Sequence, residues 1–133
     1  MRVVTWNINS VRLRINSVKK VVKKLNPDIL CLQETKCLKE DFPFKDFKKM
    51  GFVDTEAIGI KGYNGVCIAS KHPISSIDKH IFFNKDDARH MSIEFLYKNK
   101  KIIIHNFYVP AGGDEPDPKI NNKFKHKLKF LEE

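Results

Sequence analysis

Asn7, Glu34, Arg89 and Tyr108 could together make a polar ligand site, supplying an amide, a carboxylate, a guanidinium and a phenol. Each lies at or next to the end of a stretch that reads as a β-strand, and α/β folds gather their ligand sites at strand ends. Taken singly they say little, because an asparagine at a strand end commonly makes a turn bond and a glutamate there is commonly solvated. What joins them is their shared position, which depends on the elements that hold them.

Val3, Val4 and Trp6 open the chain with a β-rich stretch that ends at the polar run Asn7, Ile8, Asn9, Ser10. From Ile15, the apolar residues Val18, Val21, Val22 and Leu25 recur at helical spacing with Lys19, Lys20, Lys23 and Lys24 mostly opposite, until Asn26-Pro27 ends the pattern. This predicts an amphipathic helix with a basic outer face. Ile29, Leu30, Cys31 and Leu32 form an unbroken apolar run, as in a strand covered on both faces, and the run stops at Gln33 and Glu34. Phe44, Phe47 and Met50 predict a helix capped by Gly51, and Phe52 to Ile58 resumes a strand pattern. Lys61-Gly62-Tyr63-Asn64-Gly65 is a turn cluster that predicts a hairpin leading into Val66 to Ala69.

Further on, Met91, Ile93 and Phe95 alternate with polar residues, Lys98-Asn99 offers a turn, and Ile102 to Ile104 lead toward Asn106 and Tyr108. An antiparallel pair is expected there. The glycines and prolines of Val109 to Pro118 exclude regular structure, and Ile120, Phe124, Leu128 and Leu131 then give a helical stripe that runs to Glu133. The stripe is an unusual place for a domain to stop, and there is neither an internal repeat nor a flexible linker. The pattern as a whole is α/β (α+β).

Three segments carry a family likeness: Thr5-Trp6-Asn7-Ile8-Asn9-Ser10-Val11-Arg12, Pro27 to Lys36 around Gln33-Glu34-Thr35, and Lys61-Gly62-Tyr63-Asn64-Gly65-Val66. They resemble successive motifs of the exonuclease III family of AP endonucleases and exodeoxyribonucleases, within the endonuclease/exonuclease/phosphatase superfamily. Asp87-Ala88-Arg89 and Asn106 to Gly113 are similar to two further motifs, and Pro116 to Glu133 to the helix that follows. The resemblance implies the N-terminal half of a DNase I-like fold, a sandwich of two β-sheets flanked by helices. It also implies cleavage of double-stranded DNA at abasic sites and 3′ ends, with magnesium, or manganese in its place, as cofactor.

On the same resemblance Glu34 is the metal-ligating carboxylate, suited to a hard cation that takes oxygen ligands and keeps several waters. Asn7 joins the network around metal and scissile phosphate and counts as both catalytic and metal-binding, whereas Asn9 lies where some relatives carry an aspartate. Tyr108 is the catalytic tyrosine, able to donate a hydrogen bond to a phosphate oxygen or to help place the attacking water. Arg89, Lys36, Lys61 and Asn106 are expected at the DNA. The family's Gly-Asp-x-Asn and Ser-Asp-His motifs do not occur in the 133 residues: Gly113-Asp114-Glu115-Pro116 has proline where asparagine is needed, and none of the five histidines sits in a Ser-Asp-His setting. Because single catalytic groups are each worth ~10²–10⁴ in rate, hydrolysis by these residues alone should be negligible.

Composition agrees with such a partner. Lys+Arg number 25 against 16 Asp+Glu, a net charge of +9 that favours polyanions. A solvated lysine face accounts for much of that excess, so charge alone does not decide. The odd number of cysteines, Cys31, Cys37 and Cys67, without a CxxC pair, indicates neither a disulfide framework nor a zinc site. Cys31 and Cys67 read as buried hydrophobes and Cys37 as an exposed loop residue. The start has no apolar signal region, and no apolar run approaches the ~20 residues of a membrane span, so a cytoplasmic protein, at the nucleoid through DNA, with no membrane partner is expected.

The favoured reading is an exonuclease III-type enzyme by ancestry, lacking its catalytic complement. Two alternatives are an enzyme completed by a separately encoded C-terminal half and a non-catalytic basic DNA-binding module. A lipid or inositol-phosphate phosphatase is disfavoured by the surroundings of Glu34 and Tyr108. An incomplete sandwich should also be marginally stable, aggregation-prone or dependent on association.

Overall fold

The computed structural model describes residues 1–82 and 86–133. Its first sheet contains β1 (Val3–Asn7), β2 (Ile29–Gln33), β3 (Asp54–Ile60) and β4 (Tyr63–Ser70), in the order β1-β2-β4-β3. The second contains β5 (Ile74–Asp78), β6 (His90–Tyr97) and β7 (Lys100–Phe107), in the order β5-β6-β7. Helices α1 (Ile15–Leu25), α2 (Phe44–Lys49) and α3 (Asn122–Glu132) complete the described elements, with a 3-10 turn at Lys39–Asp41. This is the mixed α/β arrangement of two sheets that the sequence predicts. Among the described residues no helix is long and apolar enough to cross a membrane.

The unbroken apolar run of β2 follows from its place in the first sheet. Side chains alternate between the faces of a strand, so Leu30 and Leu32 join Val18, Val22 and Phe47 beneath the helices. Ile29 and Cys31 turn the other way, onto Met91, Ile93 and Phe95 of the second sheet. Strand β4 divides likewise, Cys67 and Ala69 facing the helices and Val66 and Ile68 facing the sheet. Two apolar layers therefore sandwich the first sheet. Burying a side chain such as Leu30 or Ile68 is worth ~1.5–3 kcal/mol, so these layers fix the register.

The connections follow local chemistry. Helix α1 ends where Asn26 takes a left-handed conformation, with φ 45°, and donates its N–H to the Val22 carbonyl. Lys98 and Asn99, with φ 50° and 63°, make the two-residue turn between β6 and β7. Strand β4 begins at Tyr63, inside the expected turn cluster, because an irregularity between Ile58 and Ile60 lets Tyr63 pair with Ile60. At the start of α3, Asn121 accepts from the backbone N–H groups of Lys123 and Phe124. Its own amide donates to the carbonyls of Gly112 and Glu115, which folds the Gly/Pro-rich segment back onto the helix.

Cys37 corrects an expectation. It is buried, because the loop after β2 packs on β3 so closely that a Cβ on Gly59 would lie 2.1 Å from the Cys37 carbonyl oxygen. Burial pushes the Cys37 thiol up, takes Cys31 up to about 12 and holds Cys67 well above the ordinary thiol value. The buried thiols are thus kept protonated, as small apolar residues.

Candidate active site

Glu34 stands one residue beyond β2, in a left-handed conformation with φ 54° that a glutamate does not adopt unaided. Four backbone hydrogen bonds hold its segment: Ser10 and Val11 donate to the carbonyls of Glu34 and Thr35, and Thr35 and Lys36 donate to those of Gly65 and Asn64. Gly65 is required at this point. Its φ is +95°, and a Cβ there would lie 2.2 Å from the Thr35 hydroxyl oxygen.

Three side chains converge on the carboxylate. Asn7 Nδ2, at the end of β1, donates to Glu34 Oε1 at 2.7 Å. The Tyr108 hydroxyl, just past β7, donates to the same oxygen at 2.8 Å. Lys36 Nζ lies 3.1 Å from Oε2 and donates to Asn9 Oδ1 at 2.6 Å. The Asn7 amide, followed by the Tyr108 hydroxyl and the Lys36 ammonium, holds the Glu34 carboxyl below the usual glutamate range against the opposing effect of burial. Burial and then the adjacent carboxylate push the Tyr108 phenol up, so the hydroxyl stays a donor at neutral pH.

Tyr108 is itself anchored. Its backbone N–H donates to the Arg89 carbonyl at 2.7 Å, and the Arg89 guanidinium donates to the Tyr108 carbonyl at 3.1 Å. The same guanidinium lies 4.9 Å from the centre of the Tyr108 ring and donates from Nε to Asp87 Oδ2 at 2.5 Å. Asp87 is held in turn, since Asn64 Nδ2 donates to its backbone carbonyl at 2.8 Å. Contacts therefore run in a closed circuit from the Glu34 segment through Asn64, Asp87, Arg89 and Tyr108 back to Glu34.

The residues expected from sequence separate into three groups. Asn7, Glu34 and Tyr108 meet. Lys36 meets them too, as the partner of Glu34 and Asn9, while Lys61 is exposed in the β3–β4 turn. Arg89 and Asn106, expected at DNA, are both buried, Arg89 being 9% and Asn106 2% exposed: Arg89 donates to Asp87 and to the Tyr108 carbonyl, and Asn106 donates to the Leu32 and Cys67 carbonyls. Sequence reasoning quoted Asp87 within a motif but gave it no partner; an acid two residues before an arginine at a strand entrance was the available signal. Beside the site, Tyr63, Arg89, Tyr108, Lys123 and His126 line a cleft of about 470 Å³, and Asn9, Arg12, Arg14 and Lys36 line another.

The donor set suits a hard divalent cation. Glu34 supplies carboxylate oxygens and Asn7 an amide oxygen, and magnesium is commonly held by one or two carboxylates with water filling the other positions. Among the described residues no group of three or more His, Cys, Asp or Glu side chains comes together to hold a metal. Such an ion would rest on Glu34 as its single carboxylate here.

Comparison with known proteins bears on this geometry. Residues 4–127 match the model of the Endonuclease/Exonuclease/phosphatase family. The chain belongs to that family. Exodeoxyribonuclease III of Haemophilus influenzae is 27% identical over 132 residues, which is 98% of this chain and 48% of that protein. An AP endonuclease from Archaeoglobus fulgidus is 34% identical with a TM-score of 0.80, over 97% of this chain and 48% of that one. A 3′ phosphatase from Neisseria, solved bound to a product DNA hairpin, is 28% identical with a TM-score of 0.79, over 97% of this chain and 48% of that one. The relatives are exonuclease III and AP endonuclease proteins of DNA repair, and the chain spans about half the length of these matched proteins or less.

Proposed function

We propose that this chain carries the carboxylate side of a magnesium-dependent phosphodiesterase site for DNA repair, directed at abasic sites and 3′ ends. The carrying observation is the convergence on Glu34 of Asn7 from the first sheet and Tyr108 from the second. Asn7 and Glu34 would hold the cation, which when bound supplies positive charge to a phosphate oxygen and polarises it. Tyr108 keeps a proton at its hydroxyl and donates it as a hydrogen bond, a pre-aimed donor beside the place where phosphate charge must be stabilised. Lys36 balances the carboxylate while orienting it. Arg12, Arg14 and Lys61 line or flank the approach, where each cation would add salt-dependent affinity for the backbone.

Half of the relatives' length is matched here, and no residue of this chain supplies the Gly-Asp-x-Asn or Ser-Asp-His groups. The 133 residues alone therefore bind and orient but turn over at or near background. A duplex oligonucleotide with one abasic site, followed by fluorescence anisotropy and by denaturing gel, tests this. Binding should be salt-sensitive, stronger with magnesium and weakened by Glu34→Ala, with background incision. Binding indifferent to both magnesium and Glu34→Ala would mean a basic DNA-binding module without metal chemistry. Magnesium-dependent incision would show that the missing motifs are dispensable.

A further inference from the structure

Strand β7 and the residue just past it present Ile102, Ile104, Asn106 and Tyr108 at alternate positions, and the row changes from apolar to polar as it nears the site. Ile102, Ile104 and Tyr108 pack against the layer between the sheets. Asn106 lies within that layer and is 2% exposed. A buried amide is costly unless its donors and acceptor are met, and those of Asn106 are met by the opposite sheet. Its Nδ2 donates to the Leu32 carbonyl at 3.0 Å and to the Cys67 carbonyl at 2.9 Å. Because carbonyls only accept, these two bonds fix which end of the amide is nitrogen. Its Oδ1 accepts from Gln33 Nε2 at 2.6 Å, and the same Gln33 nitrogen reaches Thr5 Oγ1 at 3.0 Å on β1.

The partners are placed to matter. Leu32 and Cys67 are register partners in the β2–β4 ladder, so one amide ties β7 to both strands at once. Leu32 lies two residues before Glu34, and Asn106 lies two residues before Tyr108. The amide thus joins the sheets one step behind the two side chains that meet in front of it, at 2.8 Å between Tyr108 oxygen and Glu34 Oε1. Apolar packing holds sheets together without fixing their offset, being non-directional. Three directional bonds in a dry layer do fix it.

We infer that Asn106 is a positioning residue, a polar bolt between the sheets that sets the separation of Glu34 and Tyr108. The inference deepens the proposed function and rests on its assignment of those two residues, but its first test needs neither metal nor substrate. The Tyr108 ring resonances are recorded by NMR in the full chain and in Glu34→Ala, Asn106→Leu and the double variant. Leucine keeps asparagine's heavy-atom branching and removes all three bonds. Glu34→Ala should shift the Tyr108 ring signals in the parent chain and shift them by less than a third as much in the Asn106→Leu background. Equal shifts in both backgrounds would overturn the inference.

Should Asn106→Leu fail to melt cooperatively, Asn106→Ser, whose hydroxyl can still donate one bond, takes its place and should give an intermediate shift. A magnesium titration of the same samples separates the two readings. Magnesium affinity that depends on Glu34 and weakens at least fivefold in the Asn106 variant supports both. An absence of Glu34-dependent magnesium binding in the parent chain defeats the proposed function, while the ring-signal comparison still decides the role of Asn106.

Discussion

Asp87→Ala tests the circuit behind Tyr108. Asp87 and Arg89 form an ion pair at 2.5 Å with side chains 7% and 9% exposed, so water can do little for the guanidinium once its partner is gone. Removing one member of a buried pair costs ~3–5 kcal/mol, chiefly for the stranded charge. Arg89 would keep the Tyr108 carbonyl and the ring face, a cation–π contact worth ~0.5–2 kcal/mol, which points to the lower end, about 3 kcal/mol. For a chain of this length that is a fall of about 10 °C in Tm, and a large part of the ~5–15 kcal/mol that holds a domain folded. Urea denaturation followed by circular dichroism, in a cycle with Arg89→Met and the double variant, should give a coupling of about 2 kcal/mol. A coupling below about 0.5 kcal/mol would refute the claim that Arg89 is fixed by Asp87. It would favour a direct role at DNA, where loss of one phosphate contact lowers the salt slope by ~0.9.

Two other outcomes are expected. Gly65→Ala should cost about 3 kcal/mol or abolish soluble expression, because the new methyl meets the Thr35 hydroxyl at 2.2 Å and φ is +95°; an unchanged urea midpoint would contradict the account of the Glu34 segment. Burial, then His105 and His80, holds the His90 imidazole below its ordinary value, with Asp78 opposing. The unfolded chain therefore binds the proton more readily, so stability is full above the ordinary histidine pKa of ~6.5 and declines as pH falls from there toward the lower folded value. His90→Phe should flatten that decline in urea midpoints measured between pH 8 and 5, and an equally steep decline in the variant would assign it to other groups.

The sequence made the strand ends legible because β1 and β2 change abruptly from apolar to polar, and both changes coincide with a site residue, Asn7 or Glu34. The turns at Asn26, Gly51 and Asn99 were readable for the same local reason, residue types that accept positive φ. Strand β5 was not, since Ile74-Ser75-Ser76-Ile77-Asp78 is an edge strand with most of its side chains exposed and no regular alternation. The left-handed backbone at Glu34 and Lys36 is imposed by hydrogen bonds donated by Ser10 and Val11 and accepted by the carbonyls of Asn64 and Gly65, all distant in sequence. Arg89 and Asn106 were assigned to DNA by the likeness of their motifs, which says nothing of the protein groups they meet. Only the tertiary structure shows an arginine neutralised by Asp87 and an asparagine with its hydrogen bonds completed by Leu32, Cys67 and Gln33.

Whether Glu34 and Asn7, beside Tyr108, hold a divalent cation is decided by titrating the chain with magnesium while following backbone amide resonances. Saturable shifts concentrated at Asn7, Glu34, Thr35 and Tyr108 are expected, and they should vanish in Glu34→Ala with its fold intact. Shifts absent from those residues, or undiminished in Glu34→Ala, would contradict the cation site.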